Sequence, residues 1–453
     1  MNSLVEISRS GIKVAQEGLN TTAQNITNAN TPGYTRRRLV TVPQNQIGGK
    51  GLQGLGVKSA DFEYLRELRT ERLIQSKQQQ LSYLETKSQA FGRLETSFVS
   101  DTGGDLDARV QSFLQSFGNL ASSPQSRPAR NQVIQEAELF IDTVKNLSQT
   151  IQHERELIVD QVQETVDSVN GLLGDLERLN KTIATAYNTG EQALGAMDTQ
   201  MMKLQKLSEF LDITTTHTDN GQVRVSVDGM ELLSSESLQQ IQLTKDGEYE
   251  NLDIRLVNSG QEISVESAKL GALLELNNDD LSSLSSELDG FVSNFVHRVN
   301  LEHSNGLDLN SNEAGNFFVD DARTASTISI ETDIRANVDR IATQSTTGSA
   351  GNGDVAKAIA GIKDSKIMSG YTPVEFGIQF ISSPGSQVSV LNDQMELRSS
   401  EMELLSAQQE QVSGVNMDEE LTNMIQYQQA YQGAAKVLES AQIMYQTLMS
   451  IVA

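Results

Sequence analysis

The last stretch of the chain, 416–453, sets apolar positions in a heptad rhythm. Leu421, Met424, Gln428, Tyr431, Ala435, Leu438, Gln442, Tyr445, Met449 and Val452 alternate three and four residues apart, the spacing of a coiled-coil seam. Ile425, Val437, Ala441, Met444, Leu448 and Ile451 form a second row beside it. No proline interrupts the run. Asp418, Glu419 and Glu420 suit the positive end of a helix dipole. The pattern predicts one helix of roughly 37 residues, about 55 Å long, which needs something to pack against. The opening of the chain offers a match. Leu4, Ile7, Gly11, Val14 and Gly18 make one row, with Ile12, Ala15, Leu19, Ala23 and Ile26 beside it. They predict a helix over 3–29, stopped at Asn30-Thr31-Pro32-Gly33. Two interior glycines cost ~1 kcal/mol each relative to alanine, and the Asn/Thr-rich run 20–30 costs more. This segment is therefore expected to fold only when packed, in the subunit or in an assembly. Its small residues allow a close partner.

Helical spacing continues over 61–99, 105–120, 129–187 and 192–212, as expected of a long antiparallel bundle. The period then changes. Val223, Val225 and Val227 alternate with polar residues up to Asp228-Gly229, and Ile241 and Leu243 precede Asp246-Gly247, a hairpin pattern. Helical spacing resumes over 268–302. Irregular sequence follows to the linker 346–353, then a helix starting at Asp354 as its N-cap, and another over 374–411. The expected fold is mainly α with a β insertion. The N- and C-terminal helices pair as a coiled coil, next to a long helical bundle and a small outer β domain. The boundaries are 1–60 for the first half of the inner coil plus an arm, 61–212 for the bundle, 213–267 for the β insertion, 268–411 for the rest of the bundle with an irregular region 303–353, and 412–453 for the second half of the coil. An insertion between two bundle helices need not disturb the bundle, so the β domain is expected on the outside. The Gly-rich 39–60 reads as a flexible arm.

Charge strengthens the pairing of the ends. The net charge is -25, which disfavours a nucleic-acid partner because phosphate would be repelled. Residues 1–60 nevertheless hold seven Lys/Arg against two acids, while 401–453 hold one Lys against seven acids. The opposite signs steer the two ends together, although salt screens the effect. Only 37% of the chain is hydrophobic and 5% aromatic, without tryptophan, which suits long helices better than one thick core. The absence of cysteine excludes disulfides, thiol catalysis and cysteine metal sites. No apolar run approaches the ~18 residues of a membrane span. The N-terminus lacks the apolar core and cleavage site of a secretory signal.

Patterns that could carry chemistry are weak. Gly49-Lys50-Gly51-Leu52-Gln53-Gly54 spells G-x-G-x-x-G but has no βαβ unit around it. Asp308-x-Asn310-x-Asn312 hints at a calcium loop, yet Glu313 stands where the loop needs glycine and Val319 where it needs glutamate. His153, His217, His297 and His303 lie in different elements with no H-E-x-x-H. The chain is read as a non-enzyme with no cofactor and no metal.

Two distant motifs are specific. Ala29-Asn30-Thr31-Pro32-Gly33-Tyr34 is followed by Arg36, and Gly414-Val415-Asn416-Met417-Asp418-Glu419-Glu420 is followed by Tyr427-Gln428-Gln429-Ala430-Tyr431 and Ala434-Ala435-Lys436-Val437-Leu438. Together, in this order, they resemble the terminal signatures of the flagellar axial protein family of rod, hook and hook-associated proteins. The Tyr-x-Arg ending resembles the hook-associated members more than the rod and hook members. The loop His303-Ser304-Asn305-Gly306-Leu307-Asp308 with Phe317-Phe318 is similar to the family too. The resemblance implies a structural part of the bacterial flagellum at the junction of hook and filament, extracellular, acting by subunit packing. It implies a ring of like subunits, contacts with hook protein and with the next junction protein, export through the flagellum's own secretion channel, and an export chaperone on the C-terminal helix. Another axial part, hook or rod, is the alternative, as is an axial scaffold carrying a wall hydrolase. The packing residues expected on this reading are Leu4, Ile7, Val14, Leu19, Ile26, Asn30, Thr31, Pro32, Gly33, Tyr34, Arg36, Leu421, Met424, Tyr427, Gln428, Tyr431, Leu438, Tyr445 and Leu448. Tyr34 and Arg36 are expected to reach a neighbouring surface.

Overall fold

The computed structural model describes all residues except 1, 32, 49–50, 66, 101–105, 190–192, 247–250, 322, 347–350, 369 and 453. Its spine is α4 (Arg127–Asn188), 62 residues long and so about 90 Å from end to end. The sequence builds it simply. Ser126 caps the start, accepting the Ala129 N–H at 3.4 Å. Val133, Ala137, Phe140, Val144, Leu147 and Ile151, then Ile158, Val162, Val166, Val169, Leu173 and Leu176, form one buried stripe. Glu154 interrupts that stripe and is paired with Arg93, so the buried carboxylate keeps a partner.

Around the spine lie α2 (Leu68–Ser100), α3 (Leu106–Ser122), α5 (Leu194–Phe210), α6 (Ala268–Glu275), α7 (Leu281–Ser304), α8 (Thr332–Ala336), α9 (Asp354–Ala360) and α10 (Pro373–Ser413). The helix expected from Asp354 is present, but Gly353 is its N-cap residue. The Asp354 carboxylate instead accepts the backbone N–H groups of Ser345 and Val355. α2 and α10 run antiparallel, with Phe98 stacked on Phe380 at 5.7 Å and Lys77 paired with Glu401 at 2.7 Å. A π-helical turn, Leu276–Asp280, joins α6 to α7. Beside it the buried Lys87 of α2 binds Glu275 and Asp280 at 2.9 and 2.7 Å.

At one end of the bundle the aromatic residues gather. Phe113 lies 5.7 Å from both Phe317 and Phe318 and 5.9 Å from Phe295. Polar side chains fasten the loop after α7 onto this cluster. Asn300 accepts the N–H groups of Phe317 and Phe318 and donates to the Phe318 carbonyl. The fully buried Arg130 donates to the carbonyls of Pro124 and Ile341 at 2.8 and 2.7 Å. The suspected calcium loop is an Asx-type turn: Asp308 Oδ1 accepts the N–H groups of Asn310 and Asn312, both at 2.8 Å.

His303 is wholly buried, its Nδ1 2.8 Å from the Gly315 carbonyl and its Nε2 accepting the Ala342 N–H at 2.9 Å. Burial, opposed by the Gly315 contact, holds its pKa down at about 4. The unfolded chain takes up this proton near the ordinary value of about 6.5, before the native state does. Its contribution is therefore intact above that pH and is lost as pH falls through about 4, by about 3 kcal/mol. We expect urea unfolding between pH 7 and 4.5 to show this loss in the native chain and not in His303→Gln. The comparison of variants matters, because neutralising part of the -25 net charge acts in the opposite direction.

Two expectations are corrected. Residues 37–64 are not a flexible arm, nor does the helix begin at 61. β1 (Arg37–Gly48) and β2 (Gly51–Tyr64) form a long antiparallel hairpin, and the Val57 N–H of β2 donates to Ser10 Oγ. Part of the G-x-G-x-x-G motif, Gly49 and Lys50, lies outside the described residues, while Gly51 and Gly54 are strand residues. The β insertion, expected on the outside, also shares the core of the bundle. β3 (Thr214–His217), β4 (Val223–Val227) and β5 (Met230–Leu233) make one sheet, and β6 (Ile241–Asp246), β7 (Asn251–Leu256) and β8 (Glu262–Ile263) another. Asp228 and Gly229, at φ 48° and 74°, form the tight turn the D-G pair announces. The inward side chains of both sheets belong to the same continuous core as α4. Two asparagines of α4 also clamp the strands. Asn180 exchanges hydrogen bonds with the backbone of Val223 at 2.8 and 3.0 Å, and Asn170 with that of Ile241 at 2.8 and 3.0 Å.

Candidate assembly interface

The two ends do meet. α1 (Asn2–Asn28) packs on α11 (Met417–Val452), and small residues set their distance. A Cβ added at Gly18 would lie 2.5 Å from the Tyr427 ring, and one at Gly11 would lie 3.4 Å from Ala434 Cβ. Asn25 touches Glu420. These three contacts fix an antiparallel register, which continues to Leu4 opposite Ala441. Beyond Ala441, α11 runs past the first turn of α1.

This register decides which part of the heptad pattern is used. The covered line on α11 is Glu420, Met424, Tyr427, Ala434, Leu438 and Ala441. That line mixes the small Ala434 and Ala441 with larger side chains. Other apolar residues stay open: Leu421, Ile425, Tyr445 and Leu448 are 41%, 51%, 57% and 46% exposed. Of the expected packing residues, Val14 is buried, Leu19, Ile26, Met424, Tyr427 and Leu438 are half-buried, and Leu4, Ile7, Leu421, Gln428, Tyr431, Tyr445 and Leu448 are exposed. Asn30, Thr31 and Gly33 lie on an exposed turn, and Gly33 has a φ of 76°, which disfavours other residue types. Pro32 lies outside the described residues.

Tyr34 and Arg36 spend their polar atoms inside the subunit, on the neighbouring surfaces of α1 and α11. Arg36 Nη2 pairs with Glu419 at 2.7 Å and its Nε with Glu420 at 2.8 Å, while its backbone N–H donates to the Ser413 carbonyl. The hydrogen bond from Arg36 holds the Glu419 carboxyl below its ordinary range. Burial pushes the Tyr34 phenol up, so at neutral pH it remains a donor, to Asn25 Oδ1 at 2.8 Å. Asn25, 1% exposed, accepts from Tyr34 and from the Arg37 N–H, and donates to the Arg37 carbonyl and to Glu420. Arg37 reaches Asp198 of α5 at 2.9 Å. This hub ties both inner helices to the hairpin and the bundle. Beside it opens a cleft of about 360 Å³ lined by Asn30, Gly33, Tyr34, Met202 and Glu410, among others.

The residues sequence reasoning missed are Asn25, Arg37, Asp198 and the buried role of Glu420. Asn25 was read only as one of several poor helix formers. A buried asparagine with all its hydrogen-bonding capacity used has no sequence signature of its own, because its partners come from two other segments, 34–37 and the start of α11. Asn25→Asp would remove its two N–H bonds and set a carboxylate against Glu420. We expect it to cost about 3–5 kcal/mol at the joint of the inner pair with the hairpin. Hydrogen exchange would show it as lost protection in α1 and α11 with the bundle unchanged.

Paired, half-uncovered terminal helices mounted on a rigid helical bundle define a class of protein, the elongated axial subunit whose ends are made for stacking. The comparisons agree. A family model described as "Flagellar hook-associated protein FlgK helical domain" matches residues 91–318, and the chain belongs to that family of flagellar structural proteins. The ends match two further models, "Flagella basal body rod protein" over 6–35 and "Flagellar basal body rod FlgEFG protein C-terminal" over 408–451. Flagellar hook-associated protein 1 of Bacillus subtilis is 24% identical, covering 96% of this chain and 95% of that one. The proteins of the same name from Salmonella typhimurium and Escherichia coli are each 23% identical over 70% of this chain, covering 59% and 60% of their own lengths. The solved flagellar hook junction protein FlgK of Burkholderia pseudomallei shares the fold, with a TM-score of 0.66 at 12% identity over 75% of this chain and all of that one. Among the described residues no helix is long and apolar enough to cross a membrane.

Proposed function

We propose that the chain builds the junction between flagellar hook and filament by subunit packing. The observation that carries this reading is the open side of the inner pair. α1 covers one line of α11, from Glu420 to Ala441, and leaves Leu421, Ile425, Tyr445 and Leu448 to water. An apolar stripe of this length on one helix marks an interaction surface. On this reading it is covered by copies of the same chain in a ring, by hook protein on one side and by the next junction protein on the other. The subunit is extracellular, delivered through the flagellum's own channel, and an export chaperone covers α11 beforehand, since the bare stripe is an aggregation hazard. The inner pair buries few large apolar side chains of its own, so it belongs to the low-stability end of the molecule. Its full order is reached on assembly.

Deleting the chain from its host tests this directly. Electron microscopy is expected to show hooks without filaments, with flagellin shed into the medium. Filaments of normal length and number would refute it. Hydrogen exchange on monomer and assembled tips tests the ordering step. Equal, full protection of α1 and α11 in both would count against it.

A further inference from the structure

Outside the inner pair, α10 carries a second apolar line that its own packing leaves unused. Its inward row, including Val388, Leu391 and Met395, faces the core with α2. On the other side Val390, Leu397 and Leu404 recur every seven residues and are 52%, 56% and 71% exposed. That spacing is a coiled-coil seam without a partner. Asp393, Glu396 and Glu403 flank it, all exposed. α2 opens with the converse. Leu68 and Leu73 are 42% and 43% exposed, with Arg69 and Arg72 exposed between them.

The two patches come level only at one end, since Leu397 and Val390 lie beside about residues 82 and 89 of α2. Lys77 pairs with Glu401 at 2.7 Å and Ser88 with Asn392 at 3.0 Å, and this antiparallel register brings Leu73 level with Leu404. Identical copies carrying a net charge of -25 repel one another over most of their surface. An acid-flanked apolar seam therefore favours the uncommon basic apolar patch. We propose that the Leu404 end of this seam in one copy docks on the start of α2, around Arg69, Arg72 and Leu73, of the next copy. Two different patches meeting head to tail close into a ring where the rotation between copies closes. This inference rests on the proposed function and names the surface through which like subunits touch outside the inner pair.

The chain has no cysteine, so introduced thiols report without background. Arg72→Cys and Leu404→Cys chains are produced together in cells lacking the native copy, and isolated hook–filament assemblies are treated with a short bismaleimide. A cross-linked dimer holding one chain of each kind is expected, with none from assemblies of either variant alone. Assemblies that form but yield no mixed dimer overturn the proposal, as does coupling of Leu404→Cys only to itself or to another axial protein. Charge reversal gives a second readout that does not depend on thiol geometry. Arg72→Glu should lose filaments and Arg72→Glu with Glu403→Arg should regain them; absence of rescue also overturns it. If the unsubstituted chain is missing from hook tips, the functional reading fails and this contact with it. If it is present but uncoupled, only the contact fails.

Discussion

Leu421→Asp, Ile425→Asp and Leu448→Asp, combined in one chain, should leave the subunit folded and abolish its entry into the flagellum. All three side chains are exposed in the subunit, at 41%, 51% and 46%. Carboxylates there remain hydrated, and exposed substitutions usually move stability by no more than about 0.5 kcal/mol each. Assembly changes the balance. A buried Leu or Ile contributes about 1.5–3 kcal/mol, and three buried carboxylates without partners would cost several kcal/mol more. The combined penalty exceeds what a single subunit contact can absorb. Thermal unfolding of the purified variant checks the first half of the expectation. Microscopy of cells carrying only the variant checks the second. Normal filaments on those cells would show that the open side of α11 is not the assembly surface.

The second large effect concerns the β insertion. Cutting out 213–267 and closing the gap with a short linker should destroy the cooperative fold of the bundle. The removed strands supply Val223, Val225, Val227, Leu232, Ile241, Leu252 and Ile254, each 1% exposed or less. At about 1.5–3 kcal/mol apiece, their loss is on the order of 10 kcal/mol or more, comparable to the whole stability of a typical domain. The deletion also strips Asn170 and Asn180 of their strand partners and leaves buried polar groups unpaired, at about 1–3 kcal/mol each. Urea unfolding should lose its main transition. A deletion protein with native midpoint and slope would show that the two sheets and α4 have separate cores. The sequence suggested the opposite outcome, because an insertion between two helices is easily pictured as an ornament.

The helices were legible because each needs only its own periodicity. The stripes of α3, α4 and α10 stand in the sequence at helical spacing, and their observed limits fall within a few residues of those expected; the span 268–302, expected as one helix, is α6 and α7 joined by the π-helical turn. The D-G pair at Asp228-Gly229 was legible for the same reason, since the turn's backbone demands are local. The hairpin of β1 and β2 was not. Its glycines read as a flexible arm and Leu39, Val40, Val42 and Val57 as no more than short extended pieces, and it took the neighbouring surface of α1 to give the strands something to lie on. The hub around Asn25 was half legible. The motif Asn30-Thr31-Pro32-Gly33-Tyr34 with Arg36 pointed to the place, but not to Asn25 and Glu420 as the partners there.

The amino-acid sequence by itself determined that both ends of this chain are amphipathic helices of opposite charge and that a helical bundle lies between them. Helical period and charge are properties of neighbouring residues along one segment. Only the tertiary structure decided which line of α11 meets α1. Several lines carry the heptad rhythm, and the choice rests on fit: Gly18 against Tyr427, Gly11 against Ala434, and Asn25 against Glu420. That fit leaves Leu421, Ile425, Val437 and Met444 of α11 facing outward, where another subunit can cover them.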